Sequence, residues 1–148
     1  MPQPDWSITP AVRVDGAEAG RLVLEIAAGR PVRLVSDRGI SGLAGGGWWA
    51  ELHHLWQDDA AGPFMALLDC GELPGLVLSA LRAGCRDIVF TPGPATPQGV
   101  LARLTSLAEA QDSRLHPAPT GVTEVCWRRN RGATLRQYLS QHLDFKQM

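Results

Sequence analysis

Asp69 and Cys70 stand side by side at the end of an apolar run, ahead of Gly71 and Glu72. A carboxylate placed there can serve as a general base and a thiol as a nucleophile. A thiolate close to the start of a following helix has a lowered pKa, which would suit a small hydrolase or transferase. The same pair also has a plainer reading. Free cysteine is a common small buried hydrophobe, and Asp69 would cap the helix that begins near Pro74 or bond backbone in the turn.

The segment 39–47 holds five glycines and connects an apolar run to a helical pattern. Backbone N–H groups and a helix dipole at such a junction favour an anion, so a phosphate or carboxylate cradle is one expectation. The ligand set would be Asp37, Arg38, Ser41, Gly45, Gly46 and Gly47, joined by Thr91 from a later strand end. Gly47 is followed by Trp48, so the Lys-Ser/Thr pair of a Walker loop is missing, and the spacing is not that of a dinucleotide fingerprint. The alternative is a flexible connection, or a glycine-lined turn that lets a strand end approach a helix.

His53 and His54 are adjacent, so on a helix they point about 100° apart and cannot bind one metal from one face. His116 and His142 are isolated in sequence, and Cys70, Cys85 and Cys126 form no CxxC pair. No metal and no cofactor is expected. Trp48, Trp49 and Trp56 fall in one helical stretch, in which Trp48, Leu52, Leu55 and Trp56 share a face and Trp49 projects elsewhere. Trp49 would then anchor a partner if exposed, or pack against the sheet or the N-terminal arm. Arg128, Arg129 and Arg131 follow Trp127 and form a basic cluster suited to an acidic partner protein.

The passage Leu68-Asp69-Cys70-Gly71-Glu72-Leu73-Pro74-Gly75 resembles the strand, acid, loop and Pro-Gly of a receiver domain. The likeness covers one βα unit. Asp37 alone stands where an acidic pair belongs, and Lys146 is the single lysine of the chain, so phosphotransfer is not implied.

These groups need a frame to hold them. Residues 17–28 carry Ala19, Leu22, Val23 and Ile26 at helical spacing, with Gly29 as a stop. Residues 32–36 and 86–90 read as strands, residues 64–68 as a short apolar run bounded by turn residues and so a buried strand, and residues 113–116 as a weaker strand ending at Pro117. Pro74 opens a helix that Gly84 ends, and Thr96-Pro97 offers a cap and a first-position proline for a helix reaching Gln111. Residues 122–127 add an edge strand, parallel or antiparallel to the rest, and residues 133–143 a closing helix. The alternation argues for right-handed βαβ units. The expected fold is a single three-layer α/β domain over residues 1–148. Its short, mainly parallel sheet has four to five strands flanked by helices. Residues 1–15 form an N-terminal arm or edge strand, and residues 121–148 a basic C-terminal edge strand and helix.

Hydrophobic residues at 45% and charged residues at 20% are ordinary values for a globular chain of 148 residues. The net charge of −1 gives no general pull toward nucleic acid or an anionic membrane. No signal segment or spanning run is visible, so the expectation is a cytoplasmic protein. Ligands of parallel sheets bind beyond the strands' carboxyl ends, near the reversal of strand order. The functional expectation is a non-catalytic, regulatory module binding a partner protein, a second copy or a small effector. A hydrolase or transferase built on Asp69 and Cys70, or a phosphate- or nucleotide-binding regulator, is the alternative.

Overall fold

The structure is a computed structural model and describes residues 3–125 and 133–143. In chain order the elements are β1 (Ala11–Val14), α1 (Ala17–Ala27), β2 (Val32–Ser36), α2 (Ile40–Leu43), α3 (Gly45–Asp59) and β3 (Phe64–Asp69). There follow α4 (Pro74–Arg82), β4 (Asp87–Val89), α5 (Val100–Glu109), β5 (Arg114–His116), β6 (Thr123–Glu124) and α6 (Ala133–His142). Among the described residues the strands form one parallel six-stranded sheet in the order β5-β4-β3-β2-β1-β6, flanked by the helices. The α/β class and the parallel arrangement therefore hold, with one strand more than expected.

Three expectations about the elements change. The N-terminal segment is no arm or edge: β1 lies between β2 and β6, and all four of its residues are buried. The strand near residue 122 runs parallel to β1, pairing Thr123 with Val12 and Glu124 with Arg13, and it is the edge. The helix after β4 begins at Val100 rather than at Pro97, because Gly99 has a left-handed φ of 88° that cannot lie inside a right-handed helix. Thr96 is used in the preceding turn, where its Oγ1 accepts the Gly93 N–H at 2.8 Å.

The receiver likeness also stays local. A receiver-type sheet has the order 2-1-3-4-5. Here β1 to β5 are laid down in one direction and the order reverses at β1, which has β2 and β6 as neighbours. No reversal falls among β2, β3 and β4.

Backbone contacts group the chain into two compact units, one comprising Met1–Val35, Leu52–Met65 and Pro119–Met148, the other Ser36–Glu51 and Ala66–Ala118. In the first, the core gathers Val12, Val14, Val23, Val32, Leu34, Leu135 and Leu139, all at 0–1% exposure. Burying each such side chain stabilises the fold by about 1.5–3 kcal/mol relative to leaving it in water. Trp56 packs on Gly20, where a Cβ would overlap the indole, and its Nε1–H donates to the Ala17 carbonyl at 3.1 Å. Leu135 and Leu139 of α6 and Leu143 directly after it are buried, spaced four apart along one face.

In the second unit β3, β4 and β5 run in register, Leu67 beside Asp87 beside Arg114, and Asp69 beside Val89 beside His116. Leu67, Leu68, Ile88 and Val89 are buried with Val77, Ala80 and Leu81 of α4. Continuous apolar strands are what a sheet covered on both faces needs.

Candidate functional site

The carboxyl ends of β2, β3 and β4 form a rim within the second unit, where Asp37, Arg38, Ser41, Asp69, Cys70 and Thr91 stand. Asp69, the last residue of β3, is 2% exposed. Its backbone N–H donates to Ser36 Oγ at 2.8 Å, and its Oδ1 accepts the Gly71 N–H at 3.0 Å. Arg38, just past β2, brings Nε to 3.7 Å from Asp69 Oδ2 while its side chain stays 77% exposed. Ser41 Oγ donates to the Asp69 carbonyl at 3.4 Å, and the Thr91 N–H donates to the Gly71 carbonyl at 2.8 Å. Asp37 is half-buried beside Arg38, and Thr91 is exposed. Asp69 thus acts as the turn-forming carboxylate of the plainer reading. It does not cap α4, whose N-cap is Leu73 without a side-chain bond.

Cys70 is buried, and loss of hydration pushes its thiol up to about 12. A hydrogen bond from Ser41 pulls back in the other direction, and Cys85 and Asp69 add to the rise. At neutral pH the group is a neutral thiol, not the thiolate a nucleophile requires. Cys85 is likewise buried and raised to about 11, and its Sγ–H points at the Gly46 carbonyl at 3.3 Å.

The glycine-rich segment is mostly helical. Ile40–Leu43 make the single turn α2, and Gly45 to Gly47 belong to the first turn of α3. Gly46 is buried against α4, where a Cβ would lie 2.9 Å from Ala80 Cα and 3.0 Å from Ala83 Cβ. Gly46 thus permits close packing of α3 on α4. Gly47 faces open space, and Gly45 is half-buried.

Trp49 is 1% exposed and Trp48 half-buried, so the buried stripe of α3 is Gly46, Trp49, Leu52 and Trp56 rather than the face containing Trp48 and Leu55. The phase shifts by one residue because Gly46, with no side chain, sets the close contact with α4 and Trp49 follows three positions later. Trp49 is therefore a packing residue and not an exposed anchor. Arg128, Arg129 and Arg131 lie outside the described residues. His53 is half-buried with its ring 5.5 Å from Phe64, and His54 is exposed.

Two features escaped the sequence reading. His116 is not isolated: its Nε2 lies 2.7 Å from Asp87 Oδ1, both partly buried on one face of β4 and β5. Only the parallel register makes them diagonal neighbours. The other feature is apolar. Leu43 at the end of α2 is 89% exposed and Leu73 at the start of α4 is 59% exposed, the two most exposed large apolar side chains among the described residues. α2 contacts α4, with Gly42 next to Leu76; Leu43 is the last residue of α2 and Leu73 the N-cap of α4. A four-residue helix that buries only Ser41 has no periodic pattern to flag Leu43. Among the described residues no helix is long and apolar enough to cross a membrane.

The sequence matches no protein-family model, and no curated protein matches it.

Proposed function

We propose that this chain is a non-catalytic α/β module that binds a partner protein through the rim formed by α2 and the β3–α4 loop. One observation carries the reading: at the end of α2 and the start of α4, two helices in contact, Leu43 and Leu73 stand in water at 89% and 59% exposure, and Arg38, ahead of α2, is exposed as well. Exposed apolar side chains gathered at one place mark interaction surfaces, whereas scattered single ones do not. An arginine at the border of such a patch is a common interface residue. The catalytic alternative finds less support, since Cys70 holds its proton and Asp69 is bonded within its own turn.

The test is site-specific photo-crosslinking in the cells that make the protein. A photoreactive residue at position 43 should give a protein adduct of defined mass. The same residue at Leu107, an exposed leucine of α5 at 45%, should give none. No adduct from position 43, or the same adducts from both positions, overturns the proposal.

A further inference from the structure

We infer that β5, with the cleft beside it, takes up a short, basic, extended segment of another protein as an added strand; the inference stands independently of the docking reading above. Among the described residues β5 is the end of the sheet and pairs with β4 alone. The Arg114 N–H donates to the Arg86 carbonyl at 2.7 Å, and the His116 carbonyl accepts the Phe90 N–H at 3.2 Å. Both groups therefore point into the sheet. Successive residues of a strand turn their N–H and C=O to alternate edges, so those of Leu115 point outward. Peptides that add to an exposed edge bind through such main-chain groups.

A cleft of about 570 Å³ opens beside this edge, lined by Thr105 and Glu109 of α5, the turn residues Asp112 and Ser113, and Arg114 and Leu115 of β5. It lies at the amino end of β5, away from the rim. Its charge sets the occupant. Glu109 and Asp112 bring two exposed carboxylates against the one guanidinium of Arg114. α5 has no basic residue in its last turn, so the negative end of its dipole adds to the same sign. A segment carrying lysine or arginine is attracted there and an acidic one repelled. β5 is three residues long, and Pro117 after it has no N–H, so the edge offers a few main-chain bonds and does not zip onto a whole sheet. The complex is therefore weak, with a Kd of about 0.1–1 mM. Leu107 lies two residues from both Thr105 and Glu109, on the far side of α5, and stays outside the cleft.

Amide NMR spectra of the isotope-labelled full chain test this, during titration with the peptide acetyl-Lys-Val-Lys-Val-Lys-amide up to about 5 mM, a range that reads weak complexes. The Leu115 N–H should shift downfield, saturate, and exchange more slowly with solvent, with smaller shifts at Ser113 and His116. The fully N-methylated peptide keeps the charge but has no main-chain N–H to donate, and should leave Leu115 unmoved. The acidic counterpart, acetyl-Glu-Val-Glu-Val-Glu-amide, should do the same. Glu109→Lys together with Asp112→Asn should weaken binding of the basic peptide by roughly fivefold or more. Asparagine suits the left-handed φ of 56° at position 112, and the spectrum itself shows that the variant is folded. A Leu115 signal unmoved at the highest concentration of the basic peptide overturns the inference. So does equal binding of the N-methylated or the acidic peptide, or unchanged binding by the double variant.

Discussion

Gly46 and Gly47 are consecutive in the first turn of α3, and an added methyl group meets opposite surroundings at the two. At Gly46 the new Cβ would lie 2.9 Å from Ala80 Cα and 3.0 Å from Ala83 Cβ, where ordinary contact begins near 3.4 Å. The neighbours are backbone and a rigid methyl, so α3 and α4 must part by about half an ångström. Forcing an extra carbon into a packed contact costs about 1–3 kcal/mol. Alanine's better helix propensity returns at most about 1 kcal/mol. Gly46→Ala should therefore lose about 1–2 kcal/mol net and lower Tm by roughly 2–8 °C for a chain of this size. At Gly47 nothing lies within 4 Å, so Gly47→Ala should gain about 0.4–1 kcal/mol by restricting the unfolded chain. Urea unfolding followed by tryptophan fluorescence, with calorimetry on the same samples, measures both. A Gly46→Ala protein as stable as wild type, or shifts of the same sign at both positions, refutes the close-packing account of the glycine-rich segment.

The two buried thiols make the fold sensitive to alkali. Cys70 and Cys85 ionise near 12 and 11 in the folded chain, against about 9 when unfolded. Their contribution is fully present below pH 9 and is lost as pH climbs from 9 toward 12, because the unfolded chain gives up these protons first. Stability measured over that window should fall less steeply in a Cys70→Ala, Cys85→Ala protein; an unchanged slope contradicts the burial argument. In a Cys126→Ser background, a thiol reagent at pH 8 should label neither cysteine until denaturant is added. Gly99→Ala keeps open space around the new methyl but forces alanine into φ 88°, so chemical denaturation should show a loss of about 1 kcal/mol.

The order of elements was legible along the chain because apolar periodicity carries it. Leu22 and Val23 on a helix, the dense runs at Val32 and Phe64, and Pro74 and Gly84 at the ends of α4 all mark positions that local backbone geometry enforces. Gly99 was the overlooked signal in the same class. Thr96-Pro97 has the composition of a helix start, yet a glycine two residues on took the left-handed conformation and postponed the helix. The tryptophan stripe was misphased for another reason. Trp48 and Trp49 are equally apolar, and the choice between them depends on which side of α3 meets α4.

Local patterns alone located α1, α4, α6 and the strands β2 to β5, implied a mainly parallel sheet, and put Arg38, Ser41, Asp69 and Thr91 past the ends of successive strands. Those follow from periods of 3.6 and 2 and from the geometry of βαβ units. Only the tertiary structure decided that β1 lies inside the sheet, that Asp87 meets His116, that Cys70 keeps its proton, and that Leu43 and Leu73 face water. Strand order, register and burial arise from contacts between residues far apart in the chain. No local pattern of residue types encodes which of two distant surfaces will cover a given side chain.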